Sequence, residues 1–150
     1  MENVEITYMG LEHIDGVMVV ENLSFSIPWS KEAFIQEITA NQFAIYVVAL
    51  VDGNAVGYAG MWKVFDEGHI TNIAVHPEFR KSGVGGLLME KLLQIAKEEE
   101  IQGLTLEVRR GNLPAQKLYQ KYGFESAGIR KGYYADNGED AIIMWKHGVN

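Results

Sequence analysis

Arg80-Lys81-Ser82-Gly83-Val84-Gly85-Gly86 lies between the apolar run Ile70-Thr71-Asn72-Ile73-Ala74-Val75 and the stretch Leu87-Leu88-Met89-Glu90-Lys91-Leu92-Leu93. That order predicts a strand, a glycine-rich turn and an amphipathic helix. A helix start leaves several backbone N–H groups unpaired, and the helix dipole adds partial positive charge there. Such an end binds phosphates, and glycines let an anion approach the N–H groups closely. Arg80 and Lys81 add full charges at the mouth of the turn. Two familiar phosphate loops do not fit. A P-loop requires Gly-Lys-Ser/Thr, whereas Gly86 precedes Leu87; a dinucleotide fingerprint requires a third glycine where Leu88 stands. A lone Gly-x-Gly at a helix start serves equally well as an ordinary cap.

Working outward, Val4, Ile6 and Tyr8 alternate with polar residues as a half-buried strand does. Leu11 to about Phe25 has helical spacing, and Ile27-Pro28-Trp29 interrupts it. Ser30 is placed to cap a second helix carrying Ala33, Phe34 and Ile38. Ala44–Val51 and Ala55–Phe65 read as strands joined by a hairpin at Asp52-Gly53-Asn54. A turn at Asp66-Glu67-Gly68 leads to the strand His69–Val75. After the glycine turn, Val84, Leu87, Leu88, Leu92 and Ile95 make one apolar stripe ending near Glu100. A strand over Leu104–Val108 follows, then a helix begun by Asn112 with Pro114 in its first turn and stopped by Gly123. Phe124–Tyr134 and Ala141–Lys146 are expected to close the chain as a hairpin around Asp136-Asn137-Gly138. The expected fold is α/β: a mixed, mostly antiparallel sheet of seven strands with four helices on its faces, in one domain over residues 1–150.

Composition limits the function. A net charge of −7 argues against a general nucleic-acid binder and permits basic or amine partners. The absence of cysteine excludes disulfides, thiolate metal sites and a cysteine nucleophile. His13, His69, His76 and His147 lack metal-ligand spacing and read as structural or surface residues, so no metal is expected. The acidic start Met1-Glu2-Asn3-Val4-Glu5 lacks a signal-peptide core, and no apolar run approaches the roughly 20 residues that span a bilayer. A cytoplasmic protein without membrane contact, a monomer or weak dimer, is the expectation.

The pattern Arg-x-x-Gly-x-Gly after a strand resembles the pyrophosphate motif of the GCN5-related N-acetyltransferases (GNAT), and the element order matches that family over almost the whole chain. Four further stretches narrow the likeness. They are Ser26-Ile27-Pro28-Trp29-Ser30; Asn72-Ile73-Ala74-Val75; Leu106-Glu107-Val108-Arg109 with Asn112 and Leu118-Tyr119; and Gly132-Tyr133-Tyr134 with Glu139-Asp140-Ala141-Ile142-Ile143-Met144. They look like the members that acetylate the N-terminal alanine of a small-subunit ribosomal protein. The likeness is looser over residues 1–60. Gly111 stands where the family often carries a serine, a departure expected to loosen the turn before Asn112.

The resemblance implies acetyl-CoA as cosubstrate and an N-terminal peptide as acceptor. It implies that Lys81, Ser82, Gly83, Val84, Gly85 and Gly86 hold the pyrophosphate, that Ile73, Ala74 and Val75 pair through backbone with the pantetheine arm, and that Asn112 contacts the cofactor. Read from its helix alone, Asn112 is simply a good cap. Glu107 falls on the family's proton acceptor and Tyr119 on its proton donor; from sequence alone they read as a solvent-facing strand glutamate and a core-edge tyrosine. Trp29, Tyr133, Tyr134, Glu139 and Asp140 are candidates for the peptide groove. With no nucleophile triad apparent, direct transfer in a ternary complex is expected. A lysine or small-amine acceptor, and a non-catalytic CoA-binding module, are the alternatives.

Overall fold

A computed structural model describes residues 3–148. The strands are β1 (Val4–Tyr8), β2 (Ala44–Val51), β3 (Asn54–Val64), β4 (Glu67–Val75), β5 (Gly103–Arg109), β6 (Glu125–Arg130) and β7 (Ala141–His147). The helices are α1 (Ile14–Ser24), α2 (Lys31–Thr39), α3 (Val84–Glu98) and α4 (Leu113–Lys121). The strands form one sheet in the order β1-β2-β3-β4-β5-β7-β6, antiparallel except where β4 meets β5. The expected mixed α/β sheet is therefore present.

Alternation along β2 accounts for its unbroken apolar character. Val47, Ala49 and Val51 enter the core with α3, whereas Tyr46, Val48 and Leu50 enter the core with α1 and α2. Both faces of the strand are covered, so both sets of alternating positions are apolar. Ser30 Oγ accepts from Ala33 N–H as the cap of α2, and Asn112 Oδ1 accepts from Ala115 N–H as the cap of α4.

The functional geometry originates at the centre of the sheet. β4 and β5 pair only over Glu67–His69 against Gly103–Thr105, and beyond these residues they part. In β4, Asn72 faces Gly60 while Ile70 faces Met61, so Thr71 is an extra residue that bulges the strand at the point of separation. The parted strands, with the first turn of α3 and with α4, enclose a cleft.

Two expectations at chain turns need correction. The turn before β4 is Phe65-Asp66, with Phe65 at φ 56° and 92% exposed, and Glu67 and Gly68 already belong to the strand. Gly68 is not a turn glycine: a Cβ there would sit 2.5 Å from Leu104 Cδ2, so it permits the close approach of β5. The strand expected over Phe124–Tyr134 ends at Arg130. Residues 131–140 leave the sheet as a ten-residue connection, and this carries Tyr133 and Tyr134 to the site.

Candidate active site

The cleft between β4 and β5 has a volume of about 670 Å³, within the usual range for a small-ligand site. Ile73, Ala74, Val75, Lys81, Gly83, Gly85, Gly86, Asn112, Glu107 and Tyr119, all singled out from sequence, line it. Ser82 and Val84 do not. Val84, the first residue of α3, is buried, so it could meet a ligand only through its backbone, and the exposed Ser82 spends its hydroxyl proton on the Phe79 carbonyl. Gly83 adopts φ 92° as the N-cap of α3, a conformation costly for any residue with a side chain. A Cβ on Gly85 would point toward Leu118 Cδ2 at 3.4 Å and Val75 Cγ2 at 3.9 Å, across the cleft. The Tyr122 hydroxyl donates to Glu90 and to the Gly86 carbonyl, tying the end of α4 to the first turn of α3. Arg80 braces the turn: its Nε–H donates to the Val75 carbonyl at 3.0 Å and its Nη2 to Ser24 Oγ at 3.4 Å.

Tyr119 is buried on α4 against Phe124. Burial, reinforced by Tyr134, pushes its phenol up, so it keeps its proton. Glu107 lies on the face of β5 opposite Leu104, Leu106 and Val108, which belong to the core. It lines both the cleft and a second hollow of about 390 Å³ behind it. Its Oε1 accepts from the Tyr133 hydroxyl at 3.1 Å, and its two oxygens lie 3.0 and 3.1 Å from His69 Nε2. The hydrogen bond from His69, opposed by burial, holds the carboxyl below the ordinary glutamate value, with Tyr133 and Arg130 acting in the same direction.

The second hollow is a groove between the α1–α2 connection and the 131–140 connection. Trp29, Tyr133 and Tyr134 line it as expected from sequence. Glu139 and Asp140 do not; they brace its wall. Glu139 accepts from Arg109 Nη1 at 3.2 Å and from Gly111 N–H at 2.7 Å, and Asp140 accepts from Arg110 and from Gly132 N–H. The Gly111 turn is thus held rather than loosened. A Cβ at Gly111 would lie 2.8 Å from Glu139 Oε2, so the glycine is what lets this carboxylate approach.

Arg109 organises the groove. It donates to Asp136 Oδ2 at 2.8 Å and to Asp136 Oδ1 at 3.1 Å, and stacks 4.0 Å from the centre of the Tyr134 ring. Asp136 also accepts from Ser26 Oγ at 2.6 Å, bridging the two connections. Glu21 is only 1% exposed; it accepts from the Tyr58 hydroxyl at 2.5 Å and from Trp29 N–H at 2.9 Å, fixing the loop that carries Trp29. Two buried polar atoms, Thr71 Oγ1 and Asn72 Oδ1, have no partner among the described residues and lie on the wall shared by cleft and groove.

His69, Glu21, Arg109 and Asp136 were not singled out as functional from sequence. Arg109 had a signal, since alternation places it on the same face as Glu107. The others meet across 37 to 110 positions of chain, and no local spacing marks them. The remaining histidines behave as expected. His13 and His76 accept from backbone N–H groups through Nδ1, and His147 stacks on Trp145. Among the described residues no helix is long and apolar enough to cross a membrane, and no cluster of His, Asp and Glu could hold a metal ion.

The model of the Acetyltransferase (GNAT) family matches residues 14–124. A Bacillus subtilis (strain 168) protein, named provisionally as a ribosomal protein bS18-alanine N-acetyltransferase, is 48% identical over 137 residues, 91% of each chain. The Salmonella typhimurium ribosomal protein bS18-alanine N-acetyltransferase is 33% identical over 93% of this chain and 94% of its own. Among solved structures, the Escherichia coli ribosomal-protein-S18-alanine N-acetyltransferase superposes with a TM-score of 0.88 at 30% identity, over 97% of this chain and 94% of that one. The PaiA N-acetyltransferase of Thermoplasma acidophilum, solved with coenzyme A, shares the fold with a TM-score of 0.82 at 21% identity, over 97% of this chain and 99% of that one.

Proposed function

This chain belongs to the GNAT acetyltransferase family, and from that premise we propose that it transfers the acetyl group of acetyl-CoA to the α-amine of a protein N-terminus, an alanine of a small-subunit ribosomal protein. The observation that carries this reading is the position of Glu107 on the wall shared by cleft and groove, with Tyr119 in the cleft. A proton acceptor belongs between the two substrates, and a proton donor belongs beside the leaving group.

The residues fit acetyl-CoA. The unpaired N–H groups at the start of α3, with Lys81, suit a pyrophosphate. The edge of β4 beyond His69 has no strand partner and suits the amides of a pantetheine arm, added like a strand through Ile73, Ala74 and Val75. Asn112 lines the cleft while capping α4, a position that supports a cofactor contact beside its capping role. The bound thioester supplies the activated acetyl group.

In the proposed reaction Glu107 accepts a proton from the attacking amine, directly or through one water. Tyr119, kept protonated by burial, donates a hydrogen bond to the departing sulfur that becomes proton transfer as charge builds. Deprotonating an α-amine of pKa about 7.8 at pH 7 costs about 1 kcal/mol, against about 4.6 kcal/mol for a lysine near 10.4. A single carboxylate whose own basicity is lowered suits the first acceptor better than the second. With no cysteine in the chain to form an acyl-thioester intermediate, direct attack in a ternary complex is the simplest route.

The test is mass spectrometry of a peptide copying the N-terminus of the ribosomal protein, incubated with the enzyme and acetyl-CoA. The expected product carries one acetyl group on the α-amine, while a lysine peptide with a blocked N-terminus stays unmodified. Failure to acetylate the N-terminal peptide at any enzyme concentration, with turnover of lysine or small amines instead, overturns the acceptor assignment.

A further inference from the structure

His69 and Glu107 meet where β4 and β5 part. His69 is the last residue of the parallel pairing, opposite Thr105, and Glu107 lies two positions further along β5 on the same face. The imidazole reaches across the opening gap, so Nε2 is 3.0 Å from one carboxylate oxygen and 3.1 Å from the other. The Glu107 side chain is 12% exposed and that of His69 37%, so the imidazole is the more solvated partner. Its Nδ1 has no partner among the described residues.

The two oxygens of Glu107 are not equivalent. Oε1 receives both the Tyr133 hydroxyl and the closer approach of Nε2. Oε2 has only the longer contact with the same nitrogen. A carboxylate offers about four lone-pair directions, so Oε2 retains accepting capacity. We infer that His69 is a positioning residue that acts through Glu107: its Nε2–H, together with the Tyr133 hydroxyl, fixes the carboxylate so that Oε2 takes the substrate proton. The inference rests on the reading of Glu107 as proton acceptor.

An imidazole donating Nε2–H orients the carboxylate and leaves Oε2 free to accept a proton from the amine. The other titratable or charged groups facing this pair are Tyr133, Tyr134 and Asp136 of the 131–140 connection, Arg109 of β5, Arg130 of β6 and Glu21 of α1 across the groove.

The experiment compares the wild-type chain with His69→Gln and His69→Ala, each first shown to keep the wild-type melting temperature within a few degrees. In the first arm, kcat/KM for the N-terminal peptide is followed from pH 5 to pH 9. Glutamine keeps an N–H donor toward Glu107, so its plateau drops only a few-fold. Alanine removes a hydrogen bond to a charged group and lowers the plateau by about tenfold or more. A wild-type plateau in both variants overturns the inference while leaving the acceptor assignment standing. In the second arm, the Glu107 carboxyl carbon is titrated by NMR in the folded protein, with its resonance assigned by its loss in Glu107→Gln. Its midpoint is expected to rise in His69→Ala. A midpoint unmoved by His69→Ala overturns the inference whatever the activity. A chain that acetylates no N-terminal peptide, yet shows this rise, retires the proposed acceptor and retains the pairing.

Discussion

The cleft and the groove share a wall, but they are built differently. The cleft's proposed cofactor wall is made of backbone, a glycine turn, a helix start and the edge of β4 within residues 70–86, while β5 and α4 supply the wall opposite. The groove is made of side chains from distant segments, with Ser26, Glu107, Arg109, Tyr133 and Asp136 joined by hydrogen bonds and a ring stack. A backbone site tolerates change in most side chains and resists change in its glycines. A side-chain site behaves in the opposite way. The two halves should therefore fail separately, one through cofactor affinity and the other through acceptor affinity, with the Glu107 carboxylate on the wall they share.

The largest expected effect tests the junction. Glu107→Gln preserves shape and removes the proton acceptor, so kcat should fall by about 10²-fold or more. Calorimetry should give an unchanged Kd for CoA, because Glu107 touches none of the helix-start groups. A variant that loses cofactor affinity in step with kcat would make Glu107 part of the cleft's scaffold and erase the distinction.

Next comes the cleft itself. Gly85→Val places branched carbon between Leu118 and Val75, where even a Cβ comes within 3.4 Å of Leu118. CoA affinity should fall by about tenfold or more, in keeping with the 1–3 kcal/mol typical of overpacking. The KM of the peptide at saturating cofactor should hardly move. Comparable losses on both substrates would show that the shared wall couples the halves.

The same contrast explains what was legible in the sequence. Arg80 to Gly86, the alternation of β2, and the Ser30 and Asn112 caps are local patterns, and each dictates a local structure. The groove depends on which distant residues meet, and periodicity carries no such information. Glu139 and Asp140 were read as groove acids because they sit beside Tyr133 and Tyr134 in sequence; in space their carboxylates turn away to hold Gly111, Gly132, Arg109 and Arg110. His69 lacks the spacing of a metal ligand, the one local pattern that marks a histidine as functional, and its partner lies 38 positions away. Gly68 was read as a turn because glycine usually signals one, whereas here it makes room for a neighbouring strand.

A smaller effect is expected from the clamp on the groove. Arg109→Met removes the contacts to Asp136 and Glu139 while keeping a long apolar stem against Tyr134. These ion pairs are solvated and their loss is modest, so the KM of the peptide should rise by about five-fold and the Kd of CoA should stay put. Equal weakening of CoA would mean that the clamp shapes the cleft through β5.

The smallest effect separates the halves by pH. Asp136 is held below its ordinary value of 3.8 first by the Ser26 hydroxyl and then by Arg109; Glu139 is held below 4.5 first by the Gly111 N–H, with Arg109 adding to it. A carboxyl whose folded value is depressed contributes stability that is complete above its unfolded value and lost as the pH falls through the folded one. The clamp should therefore be intact at pH 5 and above, and should weaken progressively below about pH 4. The glycine turn contains no carboxylate: its brace is Arg80 donating to the Val75 carbonyl. Hydrogen-exchange protection of residues 131–140 should thus fall between pH 5 and pH 3 ahead of protection in the first turns of α3. Asp136→Asn should flatten that fall by removing one of the two titrating groups. If both regions lost protection together in the wild type, the groove and the cleft would be one cooperative unit, and the division drawn from their construction would not extend to their stability.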